Sequence, residues 1–240
     1  DDTETKPSLY GLNFDLATFA RPGQEFTLSP YGVYAGDGGE LGDIVYKWKF
    51  GDGDYQETET FTVKFGEVGN FTIVCVASDP DENYYSTSAS RTIIVIDPGL
   101  GKTLVGTGIR HTDSHISDSR DNTGENEYFY TPVGSLDWFR NNLAYKGAGI
   151  PYEEAEVTSY PLGRYYTWDE AMTACPEGWR LPTDEEWATL GNDAGALTVD
   201  AYLNSRRMWE YWPQITRTNS VGLAIIPAGY VLVGSSPSFK

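Results

Sequence analysis

The chain has 240 residues, of which 40% are hydrophobic and 14% aromatic, with a formal net charge of −18 and an isoelectric point near 4.3. That apolar content excludes a disordered chain, and the length provides one or two domains, each able to bury its own core. The acidic balance argues against binding to nucleic acid or to anionic headgroups, since it repels phosphate, and no stretch approaches the roughly 20 apolar residues of a membrane-spanning helix.

Residues 1–8 (Asp1 to Ser8) form a polar leader, the expected mature N-terminus once a targeting segment has been removed. Alternation of apolar and polar residues then predicts strands at Glu25–Ser29, Ile44–Phe50, Phe61–Phe65, Asn70–Ser78 and Arg91–Ile96. Turn clusters at Gly36–Gly42, Gly51–Asp54, Gly66–Gly69 and Asp79–Asn83 separate them. Short strands with regular turn signals predict a two-sheet sandwich. In the fourth strand Phe71, Ile73, Cys75 and Ala77 share a face, so Cys75 reads as a small buried hydrophobe. The run Trp48-Lys49-Phe50-Gly51-Asp52-Gly53, followed by Val68-Gly69-Asn70-Phe71-Thr72-Ile73, resembles the polycystic-kidney-disease (PKD) repeat. That resemblance implies an immunoglobulin-like, extracellular sandwich over residues 9–97, with Trp48 filling the core and Gly51 and Gly53 making the turn beside Asp52.

Residues 98–102, within Asp97-Pro98-Gly99-Leu100-Gly101-Lys102, read as a linker because Pro and Gly together end the last strand. A strand is expected at Lys102–Ile109, then a polar excursion from His111 to Asn126, then a strand at Glu127–Thr131. Thr167 with Glu170, and Thr183 with Glu186, have capping-box spacing and predict two successive short helices. Cys175-Pro176-Glu177-Gly178-Trp179 breaks the chain between them, and Trp168 and Trp187 are expected to point into a shared core. A third helix is expected from a cap at Thr198, carrying Val199, Tyr202 and Leu203, with closing strands near Gly222–Ile226 and Gly229–Val233. Helices segregated from strands predict α+β. The cysteines, Cys75 and Cys175, show no metal-ligand spacing, and no disulfide is expected between them.

Several of these segments also carry a family resemblance. Trp138 to Tyr145, Gly163 to Trp168, Ala174 to Thr183, Glu186-Trp187 and Ala228-Gly229-Tyr230 resemble, in order, the Fibrobacter succinogenes major paralogous domain. The resemblance implies a C-type-lectin-like α+β core over residues 103–240 and a secreted bacterial surface protein. Members of that family continue past the Ala-Gly-Tyr strand to a Trp-Ser-Ser type segment. Here Phe239-Lys240 follows soon after Gly234-Ser235-Ser236, so the domain is expected to be either short or truncated at its C-terminus.

Candidate chemistry is sparse. Asp118, Asp121 and Asn122 are the candidate calcium ligands, although they fit the alternating oxygen pattern only loosely, and a solvated loop is the competing reading. Asp79–Asn83 gives the same choice. His111 and His115 lack the further ligands of a zinc site. No nucleophile elbow, phosphate loop or dinucleotide fingerprint is present, and the adjacent pairs Glu153-Glu154 and Glu185-Glu186 carry no catalytic signature. The aromatic lead is Trp209-Glu210-Tyr211-Trp212, with Gln214, Arg217 and Asn219 after it. Indole and phenol rings stack on sugar C–H faces while carboxylates and amides bind hydroxyls. Core filling by Trp209 and Trp212 is the competing reading, and it is the one expected for at least one of them. The Glu-Pro-Asn and Trp-Asn-Asp signatures of calcium-dependent lectins are absent.

The sequence therefore reads as a non-enzymatic cell-surface adhesion or binding protein with the sandwich as spacer, its partner a glycan or a surface protein. The expected location is extracellular, at the cell surface; a lipid anchor upstream of Asp1 is compatible with the sequence but not read from it. A structural component of a surface assembly such as a fimbria is the alternative, and a secreted carbohydrate-active enzyme stands behind both.

Overall fold

The computed structural model describes residues 5–99, 104–105, 114–121, 126–209 and 214–240. The chain is mostly β and divides into two compact units, Asp1–Val95 and Ile96–Lys240.

The first unit contains β1 (Leu9–Tyr10), β2 (Asn13–Phe14), β3 (Phe19–Ala20), β4 (Glu25–Leu28), β5 (Pro30–Tyr31) and β6 (Tyr34–Ala35). It continues through β7 (Val45–Phe50), β8 (Gln56–Glu57), β9 (Phe61–Lys64), β10 (Gly69–Ser78) and β11 (Thr87–Val95). One sheet runs β3-β11-β10-β7-β8, and the pairs β4-β9, β2-β5 and β1-β6 complete the unit. A single apolar core joins Phe14, Leu28, Phe61 and Phe65 to Trp48, Ile73, Cys75 and Ile93 from the five-stranded sheet. Trp48 is fully buried, with Phe61 stacked on it at 5.7 Å and Phe14 edge-on at 5.1 Å. Its indole N–H donates to the Thr58 carbonyl at 3.2 Å, so the ring is buried without an orphaned donor. The alternation expected in β10 holds: Ile73, Cys75 and Ala77 are all buried. Gly51 turns the chain at φ +56°, a conformation that glycine adopts without strain.

The second unit contains β12 (Leu104–Val105), β13 (His115–Asp118), β14 (Asn126–Val133), β15 (Leu136–Phe139), β16 (Ile150–Pro151) and β17 (Arg164–Tyr165). Its short helices are α1 (Ser159–Leu162), α2 (Trp168–Ala174), α3 (Asp184–Ala188) and α4 (Ala194–Leu197). The hairpins β18 (Tyr202–Leu203) with β19 (Arg206–Arg207) and β20 (Val231–Leu232) with β21 (Ser238–Phe239) complete the set. β13, β14 and β15 form an antiparallel sheet. Buried apolar residues fall into small clusters, around Phe129 and Tyr160, around Ala201 and Ile226, and around Trp138, Leu190 and Leu223. Directional polar bonds add to them. Asn141 accepts from the Phe129 N–H at 2.9 Å and donates to the Glu127 carbonyl at 3.1 Å. The buried Tyr128 hydroxyl accepts from the Ala144 N–H at 3.0 Å. Arg164 donates to the Ala148 and Gly149 carbonyls and to Glu156.

Both expected capping boxes form, at Thr167/Glu170 and Thr183/Glu186. Two expectations are corrected. Trp168 and Trp187 do not enter a shared core: they are 72% and 48% exposed, because each cap fixes its tryptophan in a helix of only seven or five residues. Nor does Thr198 begin a helix. It is the C-cap of α4, whose N-terminus is capped by Asp193. Asn204 and Ser205 both have positive φ and turn Tyr202–Arg207 into a two-residue hairpin instead.

Candidate functional site

The second unit contains a cleft of about 580 Å³, walled by the β14–β15 hairpin, the turn after α2 and the start of α3. Antiparallel register sets Trp138 opposite Thr131 and Phe139 opposite Tyr130. After α2, Pro176 and Gly178 (φ +84°) close a turn, with the Trp179 N–H donating to the Pro176 carbonyl at 3.0 Å. The turn lays Trp179 flat on Phe139, ring centres 4.0 Å apart and planes at 21°, with Tyr130 at 5.4 Å. The capping box then aims α3 so that Trp187 reaches Trp138, their rings 5.2 Å apart.

The polar groups of the cleft differ in what they leave available. Arg180 is spent on Glu186 through two bonds of 2.7 and 2.5 Å, and the fork holds the Glu186 carboxyl down to about 2. Asn141 is used up at the sheet, and the Asn142 amide donates to the Leu162 carbonyl at 2.9 Å. By contrast Trp138, 9% exposed, has a buried indole N–H with no acceptor among the described residues. That nitrogen is itself closed to solvent, so it is not a contact that the cleft presents. Asp137, beside it, is exposed and makes no hydrogen bond or ion pair among the described residues. The cleft thus offers ring faces and one open carboxylate.

Comparison with known proteins decides the wider identity. Residues 11–95 match the PKD domain model, and residues 131–240 match the Fibrobacter succinogenes major domain model. The chain carries those two domains, in that order. Solved structures similar to it include the PKD1 domain of Vibrio anguillarum Epp, at 22% identity, TM-score 0.29, covering 38% of this chain and 96% of that one. Another is the PKD domain of human SorCS2, a VPS10 domain-containing receptor, at 20% identity, TM-score 0.29, covering 40% and 80%. No curated protein matches. Domains of these two families are typically non-catalytic surface or spacer units, no catalytic family is indicated, and the pair suggests a bacterial surface protein. PKD domains are usually extracellular. Among the described residues no helix is long and apolar enough to cross a membrane.

Within the second unit, the residues singled out by sequence are distributed as follows. Trp209 is half-buried, its N–H donating to the Val199 carbonyl at 2.7 Å, and the Arg217 guanidinium lies over its ring at 4.5 Å. Asn219 accepts from the Ala224 N–H at 2.7 Å, and Gln214 is exposed. Glu210, Tyr211 and Trp212 lie outside the described residues, as do Asn122 and His111. Asp118 is buried and both its oxygens accept from Arg120, at 2.8 and 2.6 Å. Those bonds hold its carboxyl below the usual range. Asp121 accepts from the Asn126 amide at 2.7 Å and the Lys146 N–H at 3.0 Å. Among the described residues no three acidic, His or Cys side chains group as a metal site.

Sequence reasoning did not propose the cleft. Its walls are segments read there as fold markers, Trp138-Phe139 and Cys175 to Trp187. What could have drawn attention to them is three tryptophans, one on a hairpin strand, one in a turn and one in a short helix.

Proposed function

We propose that this is a non-enzymatic adhesion protein of the bacterial cell surface, in which a C-type-lectin-like α+β domain binds carbohydrate and the PKD domain acts as its spacer. The observation that carries the reading is the tryptophan cleft, where the half-exposed Trp187 ring stands 5.2 Å from Trp138 and Trp179 lies flat on Phe139. Small-ligand sites are mostly apolar clefts of about 300–1,000 Å³ with a few convergent polar groups, and this one has that size and composition. The Arg217 contact on Trp209 makes the Trp209–Asn219 segment the lesser candidate. Glycan-array binding by the purified chain, lost in Trp187→Ala, tests the proposal; an array signal unchanged by that substitution counts against the cleft.

A second reading, as a structural component of a surface assembly, draws on one observation. Tyr230, Leu232 and Val233 around the β20–β21 hairpin are 60%, 54% and 77% exposed, an apolar strip of the kind that packs against another protein. Retained assembly contacts after Trp187→Ala, with no glycan bound, would favour it.

A further inference from the structure

The first unit carries an aromatic face that a spacer does not need. β1 pairs with β6 so that Tyr10 stands opposite Tyr34, and Ser8 stands opposite Tyr85 in a parallel bridge. Leu9 and Ala35 are buried. Side chains alternate along a strand, so Ser8 and Tyr10 point outward, and Tyr34 and Tyr85 with them. All three tyrosines are more than half exposed. The Tyr10 and Tyr34 rings lie 5.5 Å apart. Gly11, at φ +85°, makes room for the pair, since a Cβ there would come within 2.8 Å of the Tyr34 ring. The backbone therefore positions the two rings before any partner arrives.

We propose that this face docks a basic, arginine-bearing segment of another protein, whose guanidinium groups stack on Tyr10 and Tyr34. Charge favours such a partner. Carboxylates outnumber Lys and Arg by more than two to one in Asp1–Val95, so a basic segment is attracted at long range. Asp15, after β2, and Asp37, after β6, accept only from neutral groups among the described residues: the Tyr31 hydroxyl for the first, the Tyr84 hydroxyl and Gly39 N–H for the second. The unit's own cations already sit on its rings. Lys6 Nζ lies 5.0 Å over Tyr85, Lys49 Nζ 5.8 Å over Tyr55 and the Arg91 guanidinium 5.7 Å over Phe14. Among the described residues no cation covers Tyr10 or Tyr34. Aromatic faces attract cations, and the planar, weakly hydrated guanidinium stacks on them more readily than an ammonium.

The experiment titrates the full chain against fluorescein-labelled peptides of alternating Arg and Gly, read by anisotropy, with Lys–Gly and Glu–Gly peptides of equal length beside them. Substitutions that leave the charge unchanged separate the tyrosine face from the acidic surface as a whole. Tyr10→Leu with Tyr34→Leu is expected to weaken Arg–Gly binding at least about fivefold, as is the corresponding Ala pair. Tyr10→Phe with Tyr34→Phe keeps the rings and should keep the affinity. Circular dichroism checks each variant, and the contrast between the Leu and Phe pairs decides the matter if the Ala pair fails to fold. Lys–Gly is expected to bind more weakly than Arg–Gly, and Glu–Gly not at all. Arg–Gly binding undiminished in a folded Leu pair would reveal diffuse attraction to the −18 chain and overturn the proposal. Absence of Arg–Gly binding, or equal loss in the Leu and Phe pairs, would overturn it as well. Binding of a neutral oligosaccharide such as cellohexaose through these tyrosines, with no peptide bound, would overturn the basic partner.

Discussion

Arg180 and Glu186 meet as a fork on a carboxylate, Nη1 to Oε2 at 2.7 Å and Nη2 to Oε1 at 2.5 Å. The same Oε2 accepts from the Thr183 N–H at 2.8 Å, so one carboxylate caps α3 and ties it to the turn that carries Trp179. The Arg180 bonds, then the Thr183 N–H, lower the Glu186 carboxyl from 4.5 to about 2. A carboxylate lowered in the folded state stabilises fully above its unfolded value, and that stability is lost as pH falls through the folded one. Glu186→Gln should therefore lower the urea midpoint by a constant amount above about pH 5, with the gap closing toward about pH 2. Thr183→Ala removes the reciprocal cap and should cost about 1 kcal/mol at neutral pH.

Trp48→Ala empties the centre of the PKD core and should cost about 3–5 kcal/mol, read from urea unfolding. Trp187→Ala, by contrast, deletes a ring that is 48% exposed. It should cost about 1 kcal/mol or less while removing ligand binding.

Arg120 clasps three things at once: Asp118, the Ala174 and Cys175 carbonyls at the end of α2, and the face of Tyr145 at 3.9 Å. Arg120→Ala strands a buried carboxylate and should destabilise the second unit by about 3 kcal/mol. A double variant with Asp118→Asn should recover part of that loss in an unfolding cycle. Because Asp118 is spent on Arg120, millimolar Ca²⁺ or a chelator should leave the melting temperature of the wild-type chain unchanged.

Burial raises the Cys75 thiol to about 12, and Cys175 is raised as well, also by burial. Thiolate is the reactive form, so Cys75 should resist a thiol reagent at pH 8 in the native state and label once the PKD domain unfolds. Mass spectrometry of the labelled peptides checks this. Early labelling of Cys75 would mean that the sandwich opens locally.

Strand positions in the PKD domain were legible because period-two alternation and glycine turns act within a few residues. The capping boxes were legible for the same reason, being three-residue devices. Trp168 and Trp187 were misjudged because a tryptophan beside a cap reads as core, whereas the direction of so short a helix is set by distant contacts. Thr198 misled through the spacing of Val199, Tyr202 and Leu203, which suits a helix face; the Asn204-Ser205 turn overrode it. The cleft was invisible for a further reason. Its defining feature is the meeting of Trp138, Phe139, Trp179 and Trp187 from three separate segments, and no local spacing encodes that approach.

Asn141 has a consequence for how the molecule behaves in a crowd. Its amide presents the same donor and acceptor pair as a peptide group, and it uses both on Glu127 and Phe129, where β14 continues beyond the end of its ladder with β15. That stretch of strand would otherwise offer bare backbone to any neighbouring chain, the usual starting point for edge-to-edge aggregation. Asn141 closes it together with the Tyr160 hydroxyl, which bonds the Glu127 N–H and carbonyl, and the Arg140 N–H on the Phe129 carbonyl, so copies held side by side at high local density keep a clasped edge rather than an adhesive one.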